Sequence, residues 1–287
     1  MIGWQGRHGL GGGLLGGPIS PRKVAALRYP DRAPERTKRR ASRHEALVWG
    51  RPVRYEAAGE GEPIVLVHGL SGSTRWWSRN VPAIAERYRV YLVDLPGFGT
   101  MRSLRGRFVL AETATWLSEW MEAAGLERVH LVGHSMGGYA SIRLAASRPD
   151  LVRRLVLVAP AGVPAKRCML GHLVPLLLTA RYASPAFMPV LVRDALRMGP
   201  MTLWRAARDL LAEDVRGDLG NIEAPTLLVW GENDPLIPPA VGDLLREELS
   251  NSRLLSLQKA GHVPMFDQPK EFDAALLAFL AGERVGE

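Results

Sequence analysis

Cysteine is almost absent from this sequence. The 287 residues contain a single one, Cys168, which excludes an intramolecular disulfide and a zinc site built from several cysteines. No apolar run approaches the roughly 18 residues that a membrane-spanning helix needs, so we expect no membrane span. Arg39-Arg40 is followed by Ala-Ser-Arg-His instead of an apolar stretch. That order argues against a secretory signal and predicts a cytoplasmic protein.

Acidic residues are scarce only in the first part of the chain. Residues 1–44 contain ten Lys or Arg against two Asp or Glu, whereas the remaining residues contain 27 of each sign. Any electrostatic attraction to nucleic acid or to anionic lipid would therefore come from residues 1–44 alone. This segment is rich in Gly, Pro and Arg, and we expect a disordered tail. The alternatives are a basic arm that binds nucleic acid or a membrane, or an organelle-targeting peptide. We favour the solvated tail and expect no nucleic-acid partner.

The chain changes character after the tail. Two opening strands are predicted at Ala46–Trp49 and Val53–Glu56, joined by a turn at Gly50. Continuous apolar runs follow, separated by amphipathic stretches, and such runs are typical of strands buried on both faces of a parallel sheet. The alternation predicts an α/β fold with a mostly parallel, doubly wound sheet. The runs are Ile64–Val67, Val90–Val93, Val129–Val132, Leu155–Val158 and Thr226–Trp230.

One stretch interrupts this alternation. Residues 163–218 separate two strand-like runs by far more than the usual connection, and they contain helix-like apolar segments at Leu173–Leu178 and Met188–Leu196. We interpret them as an inserted helical cap, with residues 45–162 and 219–287 forming the core. The methionines of this cap suit either an adaptable substrate-facing surface or ordinary packing.

Gly133-His134-Ser135-Met136-Gly137 directly follows the run Val129–Val132 and opens a predicted helix. A serine hydroxyl becomes a nucleophile when it is held against a base and near amide donors for the developing oxyanion. A sharp turn between a strand and a helix, flanked by glycines, gives a serine that position. We therefore predict that Ser135 is a catalytic nucleophile.

The partners of this serine are expected later in the chain, in the order serine, acid, histidine. His262 follows the short run Arg253–Leu257 and precedes the last predicted helix, so it is the candidate base. Gly231-Glu232-Asn233-Asp234 follows the run that ends at Trp230 and supplies the acid. Asp234 is preferred, and Glu232 is the alternative.

Two backbone amides are expected to bind the oxyanion. One belongs to Met136, directly after the nucleophile, and the other to Leu70, in the loop after the strand Ile64–Val67. This chemistry needs neither a metal nor an organic cofactor, and we predict none.

In these features the sequence resembles the α/β-hydrolase fold superfamily, within its capped branch of esterases, lipases and C–C bond hydrolases. The matching motifs are His68-Gly69, Asp94-Leu95-Pro96-Gly97-Phe98-Gly99, the Ser135 turn, the Asp234 loop and Gly261-His262. The resemblance implies that Asp94 and its glycines form a structural turn. It also implies that Trp76, Trp77 and Phe98 line the mouth of the pocket, although buried packing explains these aromatic residues equally well.

The sequence thus predicts a carboxylic ester hydrolase that acts on a small, largely apolar substrate through an acyl-enzyme. C–C bond hydrolysis and lactone, thioester, lipid or peracid chemistry would use the same residues, because a fold does not fix a function. A non-catalytic receptor or accessory protein that keeps this fold is the alternative from a different class.

Overall fold

The structure is a computed structural model that describes residues 41–101, 109–164, 173–283 and 285. Of the tail expected at residues 1–44, residues 1–40 lie outside the described residues. Cys168 and Met169 of the expected cap also lie outside them. The described strands are β1 (Ser42–Val48), β2 (Arg51–Ala58), β3 (Pro63–Val67), β4 (Arg89–Val93), β5 (Val129–His134), β6 (Val152–Val158), β7 (Thr226–Gly231) and β8 (Ser252–Leu257). The described α-helices are α1 (Val81–Ile84), α2 (Thr113–Ala123), α3 (Met136–Ser147), α4 (Leu173–Tyr182), α5 (Met188–Met198), α6 (Pro200–Ala212), α7 (Arg216–Leu219), α8 (Pro239–Glu248), α9 (Pro264–Asp267) and α10 (Pro269–Leu280).

The eight described strands form one sheet in the order β1-β2-β4-β3-β5-β6-β7-β8. Strands β3 to β8 are parallel to one another, while β2 is antiparallel to both β1 and β4. The carboxyl ends of β3, β5, β7 and β8 therefore lie at the same edge of the sheet. Ligand sites of open parallel sheets form at this edge.

The first strand begins earlier than the sequence predicted. Ser42, Arg43 and His44 were assigned to the tail, but they pair with residues of β2 in the antiparallel register that continues through Val48. Their side chains are polar, so no apolar pattern marks them, whereas backbone pairing at an edge strand does not depend on such a pattern. The boundary between the tail and the core, expected after residue 44, therefore lies before Ser42.

The sheet is buried on both faces. In β3, Ile64 and Leu66 belong to one apolar cluster while Val65 and Val67 belong to the other, as expected for side chains that alternate across a sheet. Helices α2 and α3 supply buried residues to the second cluster, and α10 supplies them to the first. The apolar runs of the sequence thus correspond to strands covered by helices on each side.

Helices α4 to α7 lie in the long connection between β6 and β7, within the segment expected to form the cap. The connection packs on the core, since Phe187 joins the cluster of Ile64 while Ala206 and Leu210 join the cluster of Val65. Gly199, with a φ of 81°, separates α5 from α6. Among the described helices, none is long and apolar enough to cross a bilayer.

Candidate active site

Ser135 lies on the turn between β5 and α3, and its backbone has φ 51° and ψ −114°. Residues other than glycine rarely adopt this conformation, which costs about 1–3 kcal/mol and persists only where the surroundings enforce it. The amide of Ser135 donates to the carbonyl of Val158 at 3.0 Å, and its carbonyl accepts from the amides of Tyr139 and Ala161. The turn is thus fixed by α3, by the end of β6 and by the loop that follows β6.

Two glycines after the serine allow the turn to pack closely on its neighbours. A Cβ on Gly137 would lie 2.6 Å from the carbonyl oxygens of Val67 and His68, and one on Gly138 would lie 2.7 Å from the Cβ of Pro160. Real Cβ atoms essentially never approach another heavy atom this closely. The glycines therefore let α3 begin against the end of β3.

His262 and Asp234 form a buried pair. Nδ1 of His262 lies 2.7 Å from Oδ2 of Asp234, and the imidazole donates this hydrogen bond because the carboxylate can only accept. The other oxygen, Oδ1, accepts from the amides of Leu236 and Ile237 at 2.9 and 3.0 Å. Glu232, the alternative acid, is exposed. No hydrogen bond between described residues uses Nε2 of His262, so this atom is available as a base.

His134 connects the serine turn to the histidine loop. Its Nε2 donates to the carbonyl of His262 at 2.8 Å, and the two imidazole rings lie 5.0 Å apart. Complete burial, together with His262 nearby, holds the pKa of His134 well below its usual range. Nδ1 of His134 lacks a hydrogen-bond partner among the described residues, which fits a neutral ring. His134 therefore orients the loop of His262 and carries no charge of its own.

Two candidate amide donors lie near the serine, one in the loop after β3 and one at the start of α3. A Cβ on Gly69 would lie 3.1 Å from the Cβ of Ser135, so the backbone next to Leu70 lies close to Ser135. Met136 is the first residue of α3, where a backbone amide has no partner within the helix. No hydrogen bond between described residues uses the amide of either Leu70 or Met136. Both are therefore free to bind an oxyanion.

His68 and Asp94 brace this loop. Nδ1 of His68 donates to the carbonyl of Gly69 at 2.8 Å, while its Nε2 accepts from the amide of Leu95 at 3.0 Å. This pattern requires a neutral ring, and burial lowers the pKa of His68 accordingly. The carboxylate of Asp94 accepts from the amides of Thr74 and Thr100 at 2.8 and 2.7 Å. Asp94 thus joins two loops, in keeping with its expected structural role.

All three aromatic residues expected at the pocket mouth are buried. Trp77 is fully buried and packs on Phe272 of α10, which fits the alternative of buried packing. Phe98 contacts the ring of His68 edge-on. Trp76 lies 5.5 Å from the ring of His134, between centroids, and is the aromatic residue nearest the serine turn in these contacts.

Two aspartates that the sequence did not predict as site residues tie the site to the cap segment. Asp194 of α5 accepts from the side chain of Ser73. Asp267, at the end of α9, accepts from the amides of Ser184 and Gly261 at 2.8 and 3.0 Å, and burial raises the pKa of its carboxyl group. No local motif marks either residue, because each partner lies far away in the chain or in a different element.

The described residues contain no group of three or more His, Cys, Asp or Glu side chains that could hold a metal ion. The chemistry available at this site is that of a serine, a histidine with its carboxylate, and two amide donors.

The chain matches a known protein family and several known relatives. The model of the alpha/beta hydrolase family matches residues 64–275. Pimeloyl-[acyl-carrier protein] methyl ester esterase of Aeromonas hydrophila is 33% identical over 248 residues, which cover 77% of this chain and 96% of that protein. 2-hydroxy-6-oxo-6-phenylhexa-2,4-dienoate hydrolase of Comamonas testosteroni is 30% identical over 268 residues, which cover 79% and 91%.

Among solved structures, a bromoperoxidase from Bacillus anthracis superimposes with a TM-score of 0.75 at 25% identity, covering 84% of this chain and all of that one (100%). The sheet, the serine turn and these similarities together define a hydrolase of the α/β fold. The chain belongs to the alpha/beta hydrolase family.

Proposed function

We propose that this protein is a serine esterase in which Ser135, His262 and Asp234 form the catalytic triad. The observation that carries the proposal is the buried hydrogen bond of 2.7 Å between His262 and Asp234, at the same edge of the sheet as the strained turn of Ser135. The carboxylate favours the tautomer in which Nδ1 carries the proton. Nε2 can then accept the proton of the Ser135 hydroxyl.

The reaction would proceed in two steps through an acyl-enzyme. Oγ of Ser135 attacks the ester carbonyl while its proton moves to Nε2 of His262, and the oxyanion accepts hydrogen bonds from the amides of Met136 and Leu70. Collapse of this intermediate breaks the bond to the alcohol, which leaves with the proton from His262. Water then attacks the acyl-serine with His262 again as the base, releasing the acid and restoring Ser135.

The substrate class that we propose is a small, largely apolar ester. The charges of residues 45–287 balance, so the body of the protein offers no net attraction for a highly charged substrate. The similarity to an enzyme named as a methyl ester esterase supports ester cleavage in particular.

The test compares the wild-type protein with Ser135→Ala in the hydrolysis of short p-nitrophenyl esters. We expect the variant to lose at least about 10³-fold in kcat, because the nucleophile is gone and only the oxyanion donors and binding remain. Labelling of Ser135 by a fluorophosphonate should disappear in parallel. Equal rates in the two proteins would refute the proposal, and a wild-type protein without labelling or turnover would favour a binding function for the fold.

C–C bond hydrolysis is a second candidate, favoured by the similarity to the dienoate hydrolase. Incubation with 2-hydroxy-6-oxo-6-phenylhexa-2,4-dienoate separates the two. Faster turnover of this compound than of any p-nitrophenyl ester would assign the C–C reaction to the same residues.

A further inference from the structure

We propose that Asp194 of α5 is a positioning residue that holds the oxyanion loop in its active shape. The oxyanion loop is defined here as residues 68–77, which connect β3 to the end of the short 3-10 helix Thr74–Trp77. The inference rests on the proposed function, in that this loop is taken to supply the amide of Leu70 to the oxyanion.

Asp194 is a buried carboxylate that reaches out of its own helix into this loop. Only 4% of the residue is exposed. Its Oδ2 accepts a hydrogen bond from Oγ of Ser73 at 2.6 Å and another from Nε1 of Trp76 at 3.2 Å. Hydrogen bonds to an ionised acceptor are roughly twice as strong as neutral ones, so these two contacts are a strong tie between the cap segment and the loop.

A positive charge lies close to this carboxylate. Arg193 of α5 interacts with Asp194 as well as with Arg75 of the loop and Arg197 of α5. The charge of Arg193 offsets part of the cost of burying a carboxylate, which is otherwise large for an unpaired ion.

The two donors lie at positions that control the rest of the loop. Ser73 is the N-cap of the 3-10 helix, where its Oγ also accepts from the amide of Arg75. The amide of Gly72 donates to the carbonyl of Gly69 at 3.0 Å, which closes the turn that contains Leu70. Fixing Ser73 thus fixes the end of the turn that contains Leu70.

Trp76 extends the same tie to the serine turn. Its ring lies 5.5 Å from that of His134 and 5.0 Å from that of Phe187, which precedes α5. Asp94 also holds this loop, through Thr74, but from within the core. Asp194 holds it from the inserted segment. The geometry of the oxyanion donor is therefore coupled to the seating of α5 on the core.

The experiment measures kcat and KM for a p-nitrophenyl ester in wild type, Asp194→Ala and Asp194→Asn. We expect Asp194→Ala to lower kcat by about 10- to 100-fold, a part of what a lost oxyanion donor costs, with little change in KM. Asp194→Asn should recover most of kcat, because an amide oxygen still accepts from Ser73 and Trp76. Asp209→Ala on α6 is the matched control, since that carboxylate pairs with the exposed side chain of Arg208, and it should leave kcat unchanged.

Two milder variants guard against a misfolded Asp194→Ala protein. Ser73→Ala and Trp76→Phe each remove one donor and retain Asp194, and each should lower kcat less than Asp194→Ala. Unchanged kcat in Asp194→Ala, a change confined to KM, or an Asp194→Asn protein as slow as Asp194→Ala would overturn the inference.

Hydrogen–deuterium exchange separates this inference from the proposed function. Amides of residues 69–77 should exchange faster in Asp194→Ala than in wild type, while those of β5 should not change. Faster exchange in this loop supports the tie even if the wild-type protein hydrolyses no ester, a result that would refute the proposed function alone. Unchanged exchange would overturn the tie whether or not the protein is an esterase.

Discussion

At the scale of single residues, the backbone of Ser135 depends on what surrounds it. Its positive φ is maintained by hydrogen bonds to Val158, Tyr139 and Ala161 and by the absence of a side chain at Gly137. The strain is local, but its support comes from β6 and from the end of β3. A change beneath the turn should therefore alter the position of Ser135 without a substitution at Ser135 itself.

Gly137→Ala tests this dependence. Its Cβ would meet the backbone oxygens of Val67 and His68 at 2.6 Å, and backbone cannot rotate away as a side chain would. We expect the free energy of unfolding to fall by about 1–3 kcal/mol, as for overpacking in a core, and labelling of Ser135 by a fluorophosphonate to slow. Gly217→Ala is the control, because nothing lies within 4 Å of its Cβ. Equal melting temperatures for the two variants would contradict this account.

Asp234→Asn tests the role of the buried pair. An amide that donates to Nδ1 would favour the wrong tautomer of His262, and the expected loss in kcat is about 10⁴-fold. Glu232→Gln, two residues away on the same loop but exposed, should leave kcat within about twofold of wild type, as usual for a surface substitution. Steady-state kinetics on one ester decides the point, and similar losses in both variants would count against Asp234 as the orienting acid.

The positions of Ser135 and His262 follow from local sequence, because a strand, a turn of small residues and a helix are encoded within a few residues. The choice between Asp234 and Glu232 does not follow, since neighbouring side chains in a loop can point in different directions. Asp194 and its partner Ser73 lie 121 residues apart. A contact over such a distance leaves no local pattern, so it becomes visible only in the folded chain.

At the scale of elements, burial decides which strands are predictable. The parallel strands read as continuous apolar runs, and the observed β7 (Thr226–Gly231) extends the predicted run by one residue. Edge strand β1 begins with Ser42, Arg43 and His44, whose side chains carry no apolar signal, and its start was predicted too late.

Helix α10 contains an aspartate whose protonation should influence stability. Burial raises the pKa of Asp273 from 3.8 to about 8, despite a hydrogen bond from Nδ2 of Asn80. Between these two pH values the folded protein binds a proton that the unfolded chain does not bind. This group therefore makes the free energy of unfolding decrease as pH rises through that window, by up to about 1.4 kcal/mol per pH unit.

Asp273→Asn should remove this dependence. The variant should be more stable than wild type by a margin that grows as pH rises from about 4 and levels off near 8. The introduced amide also offers a donor to Oδ1 of Asn80, which has no hydrogen-bond partner within the described residues. Urea unfolding at several pH values measures the margin, with Asp209→Asn as a partly exposed control. A margin independent of pH would show that Asp273 is ionised in the folded protein.

At the scale of the whole molecule, the candidate site and both apolar clusters lie within the described part of the chain after residue 40. Most of the excess positive charge lies before it. This division of charge is predictable from the sequence, because it requires only a count of charged residues. How the cap segment sits on the core is not predictable in this way. That arrangement depends on contacts such as those of Phe187 and Asp194.

Removal of residues 1–40 should therefore leave catalysis intact. We expect kcat/KM for a neutral p-nitrophenyl ester to stay within about twofold of the full-length value, because a neutral substrate gains nothing from distant charge. Kinetics of the two proteins at low and at high salt provide the measurement. A loss of activity that tracks the truncation at both salt concentrations would assign these residues a part in the site.

The parallel topology also bears on when the proposed triad would assemble during folding. Ser135, Asp234 and His262 follow β5, β7 and β8, and parallel strands are joined by long crossover connections, so their pairing is non-local. Non-local pairing makes folding slow. On the proposed mechanism, a partly synthesised or partly folded chain would therefore carry an unactivated serine hydroxyl, and turnover would require the completed sheet.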